Sequence, residues 1–88
     1  MATAVTASTW VKVADNVNAG YIHKLNNFRK FGRPSTRVWQ YFVAAGGAAP
    51  TDLTNGVIWD DLTLIISTIS NIDVYLYPLV AMQVRVDT

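Results

Sequence analysis

The strongest constraint on the fold is a two-residue alternation near the end of the chain. From residue 80 to residue 87 every even position is apolar, and Gln83, Arg85 and Asp87 lie between these positions. Successive side chains of a β-strand point to opposite faces, so this pattern predicts a half-buried strand with one face toward a core.

The composition extends this prediction to the rest of the chain. It contains no Glu and only three Lys, residues that helices favour, whereas Val, Ile, Thr and aromatic residues, which favour strands, are frequent. Further strands are expected at residues 6–13, 20–25, 38–44 and 73–77. Residues 38–44 are apolar enough to form a central strand covered on both faces.

Turn-forming residues separate these strands. Residues 15–20 contain Asp, Asn and Gly and are expected to form a turn, and residues 45–56 are expected to form a loop. Pro78 should mark a bulge, an edge or a break between two strands, because Pro has no N–H for the ladder.

One segment, residues 57–69, remains ambiguous. It fits either a buried strand or a short helix capped by Asp60 or Asp61, and its Thr, Ser and Ile content favours the strand. About six short strands in 88 residues, with no repeat or linker, predict a single domain over residues 1–88. The expected fold is all-β, a small antiparallel β-sandwich or a jelly-roll-like barrel of about six strands.

The residue types leave little material for catalysis. There is no Cys, one His and six Asp, so neither a disulfide nor a thiolate or His-rich metal site can form. His23 lies beside Lys24 and is interpreted as an ordinary surface residue of a strand. Asp60 and Asp61 are adjacent, so on a strand their carboxylates would point to opposite faces and would not converge on one cation. We expect a protein that is not an enzyme, binds no cofactor or metal, and does not enter a membrane.

The charges are segregated along the chain. Residues 1–44 carry six Lys and Arg residues and one Asp, whereas residues 45–88 carry one Arg and five Asp. Most of the positive charge lies in residues 23–37, HKLNNFRKFGRPSTR, where Gly32 and Pro34 indicate a loop or hairpin tip. The candidate binding residues are the basic and aromatic side chains of this basic run: Lys24, Phe28, Arg29, Lys30, Phe31, Arg33 and Arg37.

Two functions are open for the basic run. Basic and aromatic side chains together are typical of surfaces that bind nucleic acid, which would make the chain a small β-barrel nucleic-acid-binding module. Arg and aromatic residues are also typical of protein interfaces, from which Lys and Glu are depleted. A chain this short buries only about 60% of its unfolded surface, and assembly with other chains is a usual compensation where disulfides are missing. The protein interface is therefore favoured, with a homo-oligomer as the expected state.

The Trp residues allow a third interpretation. Exposed at the surface, Trp10, Trp39 or Trp59 would suit contact with a carbohydrate or with a host component.

Three features of residues 38–87 occur together in one known class of proteins. They are a mid-chain turn segment, a strand with a Val-Tyr pair and an alternating closing strand: Ala49-Pro50-Thr51 with Asn55-Gly56, Val74-Tyr75, and Val80, Met82, Val84 and Val86. With these features the segment resembles the small β-structured virion proteins of tailed bacteriophages. The resemblance implies a structural protein that decorates a capsid or belongs to a tail or fibre attachment, located in the virion after assembly in the bacterial cytoplasm. It implies partners among copies of itself and other virion proteins, and it assigns no role to the basic run.

Overall fold

The computed structural model describes residues 2–25, 29–30, 33–34, 37–54 and 56–88. This part of the chain is all-β and contains no helix, as the composition predicts. Its strands, numbered in chain order, are β1 (Ala2–Val5), β2 (Val11–Lys24), β3 (Arg29–Lys30), β4 (Arg33–Pro34), β5 (Val38–Ala44), β6 (Val57–Ile58), β7 (Thr63–Pro78) and β8 (Met82–Asp87).

Six of the strands form one antiparallel sheet in the order β1-β8-β2-β7-β5-β6, and β3 and β4 form a separate hairpin. The long strands β2 and β7 pair with each other over most of their length and belong to both ends of the sheet. At one end, residues 21–24 of β2 pair with β8, which also pairs with β1. At the other end, residues 72–78 of β7 pair with β5, which also pairs with β6. These are called the β1–β8 end and the β5–β6 end below.

The sheet is irregular where β2 carries the residues from which the sequence predicts a turn. The register between β2 and β7 shifts three times between Lys12 and Ala19, and Asn16 has a φ of 57°. Gly20 has a φ of 147°, and a Cβ at this position would collide with the carbonyl oxygen of Asp87. The predicted turn at residues 15–20 is therefore wrong, because its Asn and Gly residues form irregularities within one strand of 14 residues.

Both ends of the sheet contribute to one hydrophobic core. Its fully buried members are aliphatic side chains, among them Val5, Ile22 and Val84 from the β1–β8 end and Val38, Val74 and Leu76 from the β5–β6 end. Burial of each such side chain stabilises the fold by roughly 1.5–3 kcal/mol. Because one sheet supplies both sides of this core, the architecture is that of a small β-sandwich.

Several predicted elements are confirmed. Met82 and Val84 of β8 are buried and Gln83 is exposed, as the alternation requires. Residues 57–69 contain β6 and the beginning of β7, so the strand alternative is correct and the helix is wrong. Pro78 ends β7 and separates it from β8, and β7 also includes the strand expected at residues 73–77.

Two predicted strands differ from the structure. Residues 6–10 connect β1 to β2 instead of beginning a strand at residue 6, because Ser8 adopts a φ of 53° and donates its N–H to the carbonyl oxygen of Pro78 at 2.7 Å. Strand β5 has the predicted bounds, but only its first residue, Val38, is buried. Since β6 pairs with only two residues of β5, Trp39 and Gln40, β5 lies close to the edge of the sheet. The prediction of a central strand covered on both faces is therefore wrong.

Candidate assembly surface

Large apolar side chains are exposed beside a cleft near the β5–β6 end. The cleft has a volume of about 430 Å³ and is lined by Gln40, Tyr41, Phe42, Val57, Leu64 and Ile65. Two of these residues lie on its exposed rim: Val57 is 60% exposed and Ile65 is 63% exposed. Ile58, next to Val57 in the chain, and Leu62, three residues before Ile65, are also exposed. We call Val57, Ile58, Leu62 and Ile65 the apolar rim.

The apolar rim arises from the way β7 begins. Leu64 and Ile66 point into the core, so the alternation of the strand places Ile65 on the opposite face, where no described element covers it. A continuous apolar run such as residues 64–66 would suit a strand buried on both faces. The sequence predicted a binding site in the basic run and not at the apolar rim. The continuous apolar residues 64–66 were the signal that could have indicated the rim.

Polar atoms inside this part of the molecule are incompletely paired. The side-chain oxygen Oε1 of Gln40, a residue that lines the cleft, is buried and has no hydrogen-bond partner among the described residues. Buried polar atoms in folded proteins are nearly always paired, so this oxygen is an exception among the buried groups of the described residues.

Of the candidate residues in the basic run, Lys24 has a role inside the fold. Its side chain is buried, and its Nζ donates to the carbonyl oxygen of Trp59 at 3.1 Å and lies 4.7 Å from the centre of the Trp59 ring. The expectation that Lys24 presents its charge at a surface needs correction, because its ammonium group is used for a hydrogen bond and a cation–π contact within the chain.

The other candidate residues divide into three groups. Arg37 is exposed at the start of β5. The backbones of Arg29, Lys30 and Arg33 lie in the β3–β4 hairpin, which pairs Lys30 with Arg33, and a hairpin was expected there. Phe28 and Phe31 lie outside the described residues.

A buried carboxylate organises the irregular part of β2. Asp73 accepts hydrogen bonds from the backbone N–H groups of Asn16 at 2.8 Å and Gly46 at 3.1 Å. The hydrogen bond from Asn16 is the main reason why the pKa of Asp73 is lowered, and the Gly46 N–H and the Lys12 charge act in the same direction against desolvation. Desolvation pulls the pKa of Lys12 down, but the Asp73 carboxylate, 3.5 Å from its Nζ, and other neighbours raise the pKa above its ordinary value. This group ties β7 to β2 and to the loop after β5.

Aromatic side chains cover the outer face of the β5–β6 end. Trp10 packs against Tyr41 and Tyr77 with ring centres 6.4 and 5.4 Å apart, and its Nε1 donates to the carbonyl oxygen of Asp52 at 3.0 Å. The loop at residues 45–56 therefore closes over these rings and leaves a cavity of about 340 Å³ beside Tyr41.

The expectation of exposed Trp residues needs correction. Trp59 is buried beneath Lys24, and Trp39 is half-buried, with its ring centre 6.2 Å from that of Tyr77. Trp10 is half-buried as well. These rings contribute mainly to packing within the domain.

His23 makes contacts that are similar in order to those of a catalytic triad. Its Nδ1 lies 3.1 Å from Oγ1 of Thr63, and its Nε2 lies 3.3 Å from Oδ2 of Asp87. Thr63 of β7 lies directly opposite His23 of β2, where sheet geometry alone brings side chains to about 5 Å of each other. Asp87 of β8 is a diagonal neighbour, since its direct partner on β2 is Tyr21. The same Asp87 oxygen also pairs with Nε of Arg85 at 3.1 Å. We interpret the group as a polar cross-strand contact, since a nucleophile also needs donors arranged around the developing oxyanion.

Within the described ranges, no group of three or more His, Cys, Asp or Glu side chains is arranged to hold a metal ion. None of the described residues forms a helix long and apolar enough to cross a membrane. Comparisons with models of protein families, with curated proteins and with solved structures give no match to this chain.

Proposed function

We propose that this chain is a non-enzymatic structural protein that acts by self-assembly and by docking on other proteins of a particle. The observation that carries the proposal is the apolar rim, four large exposed side chains of which two, Val57 and Ile65, line one cleft in a chain of 88 residues. Exposed apolar side chains beside a cleft often mark a protein interface, because their burial on association removes them from water.

The size of the domain supports the same proposal. A domain this short has a limited core, and burying the rim against another chain adds apolar contact that the isolated domain lacks.

The particle that we propose is the virion of a tailed bacteriophage, with the chain as a decoration or cement protein or as part of a fibre attachment. This step rests on the resemblance of residues 38–87 to small virion proteins. The proposed location is the assembled virion, reached from the cytoplasm of the bacterial host.

A measurement of mass in solution tests the assembly. Light scattering coupled to size-exclusion chromatography should give a mass that is a multiple of the chain mass of 9.7 kDa and that increases with concentration until it reaches a plateau. A mass of one chain over the whole range from micromolar to millimolar would contradict the proposal.

A second experiment tests the virion. Phage particles are purified from a lysate of bacteria that carry the coding sequence on an induced prophage, and their proteins are quantified by mass spectrometry. We expect peptides of this chain in a fixed ratio to the major capsid protein. Recovery of the chain only from the soluble fraction of the lysate would count against a virion component.

Binding of nucleic acid is the second candidate, and the β3–β4 hairpin is the observation that favours it. Three basic residues, Arg29, Lys30 and Arg33, fall within two strands of two residues each. If the hairpin binds phosphates through these three residues, affinity for a labelled oligonucleotide should fall with salt, by roughly 40-fold between about 50 and about 200 mM for three phosphate contacts. A flat salt response in fluorescence anisotropy would remove this candidate.

A further inference from the structure

A second cavity lies beside the loop at residues 45–56. Its volume is about 340 Å³, and it is lined by Tyr41 of β5 and by residues 48–52 and 54 of the loop. Tyr41 also lines the cleft beside the apolar rim, but the other described residues of the two linings differ. We call this second cavity the loop cavity. Sites for small molecules usually have volumes of about 300–1,000 Å³, so the loop cavity has the size of a binding site.

The loop that forms this cavity is held in place near both of its ends. Near its start, the N–H of Gly46 donates to the carboxylate of Asp73 at 3.1 Å. Near its end, the carbonyl oxygen of Asp52 accepts from Nε1 of Trp10 at 3.0 Å, and a Cβ at Gly56 would lie 3.2 Å from the Trp10 ring. A site whose walls are fixed before the ligand arrives loses less conformational entropy on binding.

Hydrogen-bonding groups line the loop side of the cavity. Asp52 is exposed, and its Oδ1 accepts the N–H of Thr54 at 2.9 Å, which orients the carboxylate within the loop. An ionised carboxylate offers about four acceptor sites, so it can accept further hydrogen bonds from the hydroxyl groups of a ligand. Thr51 and Thr54 each add a hydroxyl, which can both donate and accept.

Tyr41 gives the cavity an aromatic wall. Its ring meets the ring of Trp10 edge to face, with ring centres 6.4 Å apart and an angle of 62° between the planes. This contact fixes the orientation of the Tyr41 ring. The face of an aromatic ring is apolar and carries partial negative charge, so it packs well against the C–H groups of a ligand.

The combination of these groups distinguishes between classes of ligand. None of the described lining residues is Lys or Arg, so an anion would meet only the negative charge of Asp52. Sites for quaternary ammonium groups usually enclose the cation with several aromatic rings, whereas Tyr41 is the one ring among the described lining residues. A neutral sugar matches the whole set, because its hydroxyl groups suit a carboxylate with Thr hydroxyls and its C–H groups suit one aromatic face.

We propose that the loop cavity binds a neutral saccharide, with the C–H face of one sugar ring on Tyr41 and the sugar hydroxyls on Asp52 and the neighbouring Thr residues. Trp10 acts from behind the loop, by holding Asp52 and Tyr41, and not by contact with the sugar. The proposal goes beyond the proposed function, since it gives the chain a ligand. The site lies within one chain and makes no use of the apolar rim, so it can be tested separately from assembly.

Nuclear magnetic resonance of the full chain tests the binding. Saturation-transfer difference spectra are recorded with the methyl glycosides of glucose, galactose, mannose, rhamnose and N-acetylglucosamine. At least one of them should receive saturation, mainly at the C–H groups of one ring face, and should shift the amide signals of Thr51, Asp52 and Thr54. The free monosaccharide is titrated beside its methyl glycoside, and the lower dissociation constant shows whether the cavity takes a free sugar or one linked within a glycan.

Two variants test whether the sugar binds in the loop cavity. Asp52→Asn removes the charge and should raise the dissociation constant about tenfold or more, because hydrogen bonds to charged groups are the stronger ones. Tyr41→Leu removes the ring and should raise the dissociation constant at least about fivefold. Asp61→Asn changes an exposed Asp outside the described lining, so this matched control should bind like the original chain. Circular dichroism checks that each variant is folded at the temperature of the measurement.

The results that overturn the proposal are distinct from those that overturn assembly. It is wrong if none of the methyl glycosides receives saturation, or if both variants bind the sugar as the original chain does. It is also wrong if tetramethylammonium chloride or sodium sulfate shifts the same amide signals at lower concentration than every sugar, because the cavity would then take a cation or an anion. The mass in solution, which tests the proposed function, decides none of these outcomes.

Discussion

Asp73 accepts a hydrogen bond of 2.8 Å from the backbone N–H of Asn16, a residue 57 positions earlier in the chain. Asn16 has a φ of 57°, a conformation that few residues other than Gly and Asn adopt. The carboxylate of β7 therefore holds the irregular segment of β2 in place, and through Gly46 it also holds the loop that follows β5.

The first prediction concerns the removal of this charge. Asp73→Asn should lower the midpoint of thermal unfolding by roughly 5–10 °C, because an amide cannot accept both backbone N–H groups as strongly as a carboxylate. Circular dichroism during heating measures the change. Asp52→Asn is the control, since Asp52 is exposed and, among the described residues, its carboxylate accepts a local N–H, that of Thr54 at 2.9 Å, so the midpoint should change little. Equal midpoints for the two variants would contradict the role of Asp73.

The second prediction concerns pH. The pKa of Asp73 is lower in the folded chain than its ordinary value of 3.8. Its contribution to the free energy of unfolding is therefore fully present above pH 3.8 and is lost as pH falls through the folded pKa. The pKa of Lys12 is raised above its ordinary value of 10.5. The contribution of Lys12 to the free energy of unfolding is therefore present below pH 10.5 and is lost as pH rises through the folded pKa. Urea unfolding at a series of pH values should show a decline in stability below about pH 4. The decline should be smaller in Asp73→Asn, and an equal decline in both proteins would count against this assignment.

The alternation of β8 could be predicted because one face meets the core and the other meets water, so burial and sequence carry the same period. The irregular segment around Asn16 could not be predicted, because Asn and Gly occur both in turns and in bulges. The bulge is held by residues distant in the sequence, the carboxylate of Asp73 and the side-chain amide of Asn71. Lys24 was assigned to a surface from its place in a basic run, and its burial depends on Trp59, which is 35 residues away in sequence. The apolar rim could not be predicted, because in a continuous apolar run the sequence does not show which Ile is buried and which is exposed.

The third prediction separates folding from assembly at Lys24. Lys24→Ala should lower the free energy of unfolding by about 2 kcal/mol or more, because it leaves the Trp59 carbonyl oxygen unpaired and removes the contact with the ring. Lys12→Ala provides the comparison, since Lys12 is exposed and its variant should be less destabilised. Chemical denaturation measures both. If the Lys24 variant had normal stability but assembled poorly, Lys24 would have to be assigned to the interface between copies.

The fourth prediction concerns the β3–β4 hairpin. Reversal of charge by Arg29→Glu with Lys30→Glu should weaken assembly about tenfold or more, because unlike charges between copies become like charges. The midpoint of thermal unfolding should stay within about 2 °C, because we expect both side chains to act between copies and not within the fold. The control exchanges the two residue types, Arg29→Lys with Lys30→Arg, and keeps the charge. Loss of folding in the reversed variant, or normal assembly, would refute a role of the hairpin between copies.

The fifth prediction compares two adjacent residues of β7. Ile66 is 2% exposed and Ile65 is 63% exposed, so the strand presents one to the core and the other to the apolar rim. Ile66→Ala should destabilise the fold by about 2–5 kcal/mol, whereas Ile65→Ala should leave the unfolding midpoint nearly unchanged. The same Ile65→Ala variant should raise the dissociation constant for assembly roughly tenfold, because less apolar surface is removed from water when copies meet. If Ile65→Ala assembles with unchanged affinity, the rim lies outside the contact, and the cleft would have to be assigned to another partner.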